Sequence, residues 1–162
     1  MSGNILRITD VSKFSNIATN SHTEEYTKVP TRFTSLQDWP KRCNILCYKC
    51  TNPIIYLPLF IPLTISQDGI DRQGNILFCS PSCVFAEISN MKDRDLRMRY
   101  ARELIRRITN IPINNQSFEL SDDRSILNEY GGDLNRREYR DSILAKNKAY
   151  FDILLPLIEL GR

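Results

Sequence analysis

The chain has 162 residues, a formal net charge of +3, 41% apolar side chains and 25% charged ones. That composition fits one folded domain, or a small domain with appendages, and excludes a low-complexity or disordered chain. The charge is too small to diagnose a nucleic-acid partner by itself, so its distribution must be read.

Residues 1 to 38 are rich in Ser, Thr and Asn with scattered hydrophobics, which predicts a flexible or loosely docked N-terminal arm. Met1 is followed by no apolar signal segment. The single histidine, His22, reads as a solvated loop residue with no second histidine to pair with. Residues 39 to 90 contain all five cysteines. Their most apolar run, Ile54 to Ile65, is interrupted by Pro58 and Pro62 and is too short to span a membrane. A soluble intracellular protein with no membrane partner is expected. In such a compartment thiols stay reduced, so clustered cysteines read as metal ligands before disulfides. Gly69 and Gly74, among Asp68, Asp71 and Asn75, mark turns, and Asn75 to Cys79 reads as a short strand. Asp68 to Asp71 fails as a calcium loop, because Cys79 stands where such a loop needs glutamate.

Cys47-Tyr48-Lys49-Cys50 and Cys79-Ser80-Pro81-Ser82-Cys83 are two close cysteine pairs separated by 28 residues. Each pair forms a short knuckle. Two knuckles brought together supply a tetrahedral site at about 2.3 Å per zinc–sulfur bond. Soft thiolates favour zinc or an iron–sulfur cluster over magnesium or calcium. The sequence therefore predicts one structural Zn2+ held by Cys47, Cys50, Cys79 and Cys83; Cys43, four residues before Cys47, is the alternative ligand, but Cys47 and Cys50 make the closer knuckle. Three alternatives are weighed against it. Iron–sulfur ligation matches neither ferredoxin spacing. A redox Cys-x-x-Cys lacks the surrounding βαβ pattern. The plainest alternative is buried, reduced cysteines without metal. In the second knuckle, Ser80 suits a helix N-cap and Pro81 the first helical position. Cys83 then falls in the first turn, where the positive end of the helix favours a thiolate. The spacing exceeds that of a zinc ribbon, so Ile54 to Ile65 must add strand or loop. Four thiolates close the metal shell. The chain also has no deaminase motif, P-loop, dinucleotide loop or nucleophile elbow. No catalytic residue is expected, and the protein reads as non-enzymatic.

Residues 91 to 162 read as helical. Leu96, Tyr100, Leu104 and Ile108 recur every four residues. A second helix is predicted over Asp122 to Tyr130, ending at Gly131-Gly132. A third runs from about Asn135 to Leu155, with Tyr139, Ile143, Tyr150 and Leu154 toward the core and Pro156 kinking or ending it. Residues 92 to 107 carry seven basic and three acidic side chains. Lys92, Arg99, Arg102 and Arg106 fall on one side of such a helix, a candidate stripe for nucleic-acid phosphates or a protein partner. The competing reading is a solvated face with pairs such as Arg99–Glu103. The tail from Phe151 to Leu160 reads as core or as a docking patch. The expected class is α+β: a four-cysteine module of short strands plus one helix over 39–90, then a helical region over 91–162.

The string Cys47-Tyr-Lys-Cys50 with Phe78-Cys79-Ser80-Pro-Ser-Cys83 resembles Phe-Cys-Ser zinc fingers. More narrowly, it resembles the viral late gene transcription factor 2 family of large DNA viruses. Ile126 to Gly132, followed by Tyr139-Arg140, is similar to a downstream segment of proteins of this kind. The resemblance spans about residues 43 to 140. It implies a zinc-binding trans-activator of late viral transcription, working with the viral RNA polymerase in the host cytoplasm, at viral factories, with the virion as a further location. The alternative is a zinc-stapled structural or virion protein-interaction module. The promoter, the polymerase subunit contacted and the oligomeric state stay open.

Overall fold

The computed structural model describes residues 25–110 and 119–160. Most of the predicted arm, His22 included, lies outside them. The rest of the arm corrects the boundary at residue 38. Arg32–Phe33 forms a strand, β1, and Phe33 is 1% exposed. A single aromatic in a polar segment carries no period, so nothing local marks Phe33 as a core residue. There it packs edge-on to Trp39, with ring centroids 5.4 Å apart, and Trp39 packs in turn on Phe60.

Strands β2 (Pro62–Ile65) and β3 (Ile70–Arg72) form an antiparallel hairpin, and β1 adds to the far side of β3, giving the order β1-β3-β2. Pro62 begins an edge strand, where its missing N–H is tolerated. Gly69 closes the hairpin turn because β1 passes too near for a side chain. A Cβ there would lie 2.8 Å from the Phe33 carbonyl oxygen. The Arg72 guanidinium donates to the carbonyls of Val29, Pro30 and Gly74, fastening the segment before β1 to the sheet. Asn75 to Cys79 is not a strand. Only Phe78 pairs, in an isolated bridge with Leu59.

Four α-helices follow among the described residues. Helix α1 (Pro81–Ile88) has seven of its eight residues buried and forms the centre of the core. Helix α2 (Arg94–Thr109) buries Ala101, Leu104, Ile105 and Ile108 on one face. The predicted second helix is instead two short 3-10 turns, Arg124–Ile126 and Asn128–Tyr130. Gly131, at φ +91°, ends the second turn. Gly132 follows because its Cα lies against the chain: a Cβ would sit 2.1 Å from the Ile126 carbonyl oxygen. Gly132→Ala is expected to cost about 2 kcal/mol, by strain at a site that tolerates no Cβ. Chemical denaturation would measure it, and an unchanged midpoint would show that the loop relaxes freely.

The predicted third helix is two. Helix α3 (Arg136–Lys146) starts with a capping box between Asn135 and Glu138, and α4 (Lys148–Leu160) begins after a break at Asn147. Tyr139, Ile143, Tyr150 and Leu154 are buried, as their spacing predicts. Pro156 does not end α4, because Leu154 and Ile158, on either side of it, are both held in the core. The core is one contiguous cluster running from Phe33 to Ile158, so the cysteine module and the helical half share an interior. This is an α+β fold with a four-cysteine module and a helical C-terminal half. No described helix is long and apolar enough to cross a membrane.

Candidate metal centre

The first knuckle is a tight reversal. Cys47 N–H donates to the Asn52 carbonyl, Thr51 N–H to the Cys47 carbonyl and Ile54 N–H to the Ile45 carbonyl. Thr51 takes a positive φ of 65°, a conformation that costs a non-glycine residue about 1–2 kcal/mol. Arg136 of α3 holds it there, donating to both the carbonyl and the hydroxyl of Thr51. Arg124 donates to the carbonyl of Tyr48 on the same knuckle. Nothing in the sequence around Thr51 announces this turn, since glycine is the usual residue at such a φ.

The second knuckle is the entrance to α1. Ser80 is the N-cap and Pro81 stands at the start of the helix, as predicted, but the Ser80 side chain makes no capping bond. The cap is remote. Asn147 Oδ1 accepts from Ser82 N–H at 3.0 Å, and Asn147 Nδ2 donates to Ser82 Oγ at 2.7 Å and to the Ile143 carbonyl at 2.7 Å. Asn147 is 2% exposed and 65 residues away in sequence. Tyr48 N–H donates to the Leu77 carbonyl and so joins the two knuckles.

The two knuckles bring Cys47, Cys50, Cys79 and Cys83 together, with all four sulfurs within 4.8 Å of one another. Cys50 Sγ lies 3.6 Å from Cys79 Sγ, and Cys79 Sγ lies 3.7 Å from Cys83 Sγ. A tetrahedron of sulfurs around one ion at about 2.3 Å has edges of about 3.8 Å. A disulfide would hold its sulfurs at about 2.05 Å. All five cysteines are free thiols. The group therefore has the chemistry and spacing of a tetrahedral metal site. Cys43 stands outside it: its sulfur accepts from Ile45 N–H, and burial pushes its thiol up.

Hydrogen bonds from its neighbours, Cys47 first, hold the Cys50 thiol far below its ordinary range, and Cys83 is lowered chiefly by Cys47. Burial first raises Cys47, and bonds to the other sulfurs raise Cys79. Asn52 points its Nδ2 at Cys50 Sγ, 3.3 Å away, and its Oδ1 is buried without a partner among the described residues. An amide that forgoes its acceptor bond in order to donate to sulfur supports the charged form of that sulfur. Sequence reading missed Asn52, Asn147 and Arg136, because second-layer contacts carry no motif.

Arg99, Arg102 and Arg106 recur at helical spacing along one face of α2. Lys92 lies in the turn before α2. Arg102 stacks over the Phe85 ring at 5.6 Å. Arg106 and Arg107 share Glu103, whose carboxyl is held down to about 2, by Arg106 first. Glu103 thus pairs with these arginines and not with Arg99. Lys92 and Arg99 are exposed and make no ion pair among the described residues. Arg97 reaches the Pro62 and Leu63 carbonyls, and Arg107 the Ser66 carbonyl, so part of the basic charge fastens α2 to the hairpin.

Known proteins add nothing to this geometry. Compared with family models, curated proteins and solved structures, the chain matches none.

Proposed function

We propose that the four-cysteine centre holds one structural zinc ion, and that the chain is a non-enzymatic trans-activator of late viral transcription working with the viral RNA polymerase. The observation that carries the metal reading is the sulfur spacing, 3.6 and 3.7 Å where a tetrahedral shell needs about 3.8 Å. Zinc, when bound, would supply cross-linking free energy. Cys47 and Cys50 would hold it from the knuckle, and Cys79 and Cys83 from the entrance to α1. Asn52 supports the sulfur of Cys50, and burial of Cys47, Cys50 and Cys83 keeps water from three of the four ligands. Four sulfur ligands leave no position for a substrate, which supports the non-enzymatic reading.

The transcriptional reading rests on the resemblance of the Cys47–Cys83 module and of the Ile126–Gly132 segment to the late-factor family. Silencing the gene during infection is expected to leave early messages and genome replication intact and to lower late messages. A rescue copy carrying Cys79→Ser should fail. Normal late messages, with the defect appearing only at particle assembly, would overturn this reading.

That outcome would favour the second reading, a zinc-stapled protein-interaction module. The internal use of Arg97, Arg102, Arg106 and Arg107 favours it, because little of the helix charge is left for phosphates. If nucleic acid is nevertheless the partner, Lys92→Gln with Arg99→Gln should weaken binding and lower its salt slope by about two. An unchanged slope would remove that face from consideration.

A further inference from the structure

A cleft of about 280 Å³ opens beside the metal centre, between the exit of the first knuckle and helices α3 and α4. It is nearly twice the about 150 Å³ that accepts one benzene, so it has room for two bulky apolar side chains. It is lined by Ile55 and Tyr56 of the knuckle exit and by Ile143, Leu144, Phe151 and Leu155 of α3 and α4. Ile55 and Leu144 are 37% and 41% exposed, so the apolar surface continues out of the cleft onto the rim.

The charge around the cleft is unbalanced. Arg140 and Lys148 line it, with Asp152 as the one carboxylate. Asp152 is taken by Lys148 at 2.6 Å. Arg42 stacks over the wall residue Tyr56 at 5.8 Å. Neither Arg140 nor Arg42 has an ion-pair partner among the described residues, so the cleft carries two surplus positive charges beside an apolar floor. A lipid-like or neutral occupant would use the floor and leave both guanidiniums unmatched.

We propose that this cleft is the docking site for a short segment of a partner protein in which two bulky apolar side chains stand beside an acidic residue. The apolar pair lies over the floor made by Tyr56 and Phe151, whose rings pack on each other with centroids 6.3 Å apart, and the carboxylate meets Arg140. A guanidinium–carboxylate pair at the edge of an apolar groove fixes register as well as adding attraction. Asn52, Pro53 and Cys79 also line the cleft, so one of its ends is built from the metal knuckles themselves. The inference rests on the proposed zinc site to this extent: docking requires that the knuckles be assembled.

Zinc-loaded full-length protein would be panned with a random dodecapeptide display library, and its metal content read on the same sample by native mass spectrometry. Enriched sequences should pair bulky apolar residues with Asp or Glu. A fluorescein-labelled peptide from that set should lose at least tenfold in affinity to Arg140→Glu, and likewise to Leu144→Asp. Both residues are at least partly exposed, so both variants should keep the parent melting temperature. Replacing the peptide's acid with lysine should restore binding to Arg140→Glu and weaken it to the parent. Enrichment of peptides without an acid, or indifference to Arg140→Glu, would overturn the proposal. So would self-association in sedimentation equilibrium that Leu144→Asp abolishes, which would assign the cleft to a second copy. Zinc-replete protein that enriches nothing would sink the docking site and leave the metal reading standing. Metal-free protein that still binds in an Arg140-dependent way would do the reverse.

Discussion

Cys50→Ser is expected to yield protein without metal and without a cooperative thermal transition. Cys50 is fully buried, its sulfur is 3.6 Å from that of Cys79, and it accepts a further bond from Asn52. A serine hydroxyl there is a poor ligand for a soft site and cannot reach the same sulfur neighbours. Structural zinc in small finger domains contributes about 10–16 kcal/mol of apparent folding free energy. A whole domain is typically stable by about 5–15 kcal/mol, so the loss is comparable with the total. Removing the metal with a strong chelator should reproduce the effect in the unaltered chain, and serine at Cys47, Cys79 or Cys83 should behave alike. Cys43→Ser is the control: metal retained, with a loss of about 1 kcal/mol for a buried thiol outside the cluster. Circular dichroism melts and native mass spectrometry decide the matter. If Cys43→Ser releases the metal and Cys47→Ser does not, the assignment of ligands is wrong.

Asn147→Ala is expected to cost about 3 kcal/mol while leaving metal bound. The substitution strands Ser82 N–H, a donor at the buried start of α1 that no other group reaches, at about 1–3 kcal/mol. It also removes the Nδ2 bonds to Ser82 Oγ and to the Ile143 carbonyl, each worth about 0.5–1.5 kcal/mol net. For a chain of this size the melting temperature should fall by roughly 6–12 °C. Asn147→Asp should do no better, since it keeps the acceptor but loses both Nδ2 donations and adds a negative charge near the sulfurs. Asn147→Leu should fail as well, although it restores packing volume. Hydrogen exchange should show faster opening in the first turn of α1, reporting a lost clasp and not a general loosening. A Leu variant as stable as the parent would reduce Asn147 to a space-filling role.

The four-cysteine cluster is legible in the sequence because its signal is local: two pairs, each a few residues long, whose spacing has few other uses. The buried face of α3 and α4 is legible for the same reason, since Tyr139, Ile143, Tyr150 and Leu154 keep a helical period through the break at Asn147. The break itself is not, because a lone asparagine fixes no helix end and its role is set by Ser82, 65 positions earlier. Phe33 likewise joins the core through neighbours that arrive later in the chain. The stretch from Asp122 to Tyr130 reads as a helix by composition, but the Leu127 and Leu134 backbones bridge each other and pull it into 3-10 turns. A helical wheel shows the basic stripe but not the tertiary neighbours of its side chains. Glu103 and Phe85 claim two of its four cations, and the helix starts too late to include Lys92.

Cys79 is the only one of the four clustered cysteines that is not fully buried, and it faces the cleft. Exchange of the ion with competing ligands should therefore be a matter of which sulfur is attacked first, and the order is set by access to solvent. A chelator or an oxidant is expected to meet Cys79 before Cys47, Cys50 or Cys83, so that dismantling starts from one side. An occupant of the cleft would stand over that side and lengthen the lifetime of the proposed ion. The rate of metal release, followed with and without such an occupant, is then a clock for whether the cleft is filled.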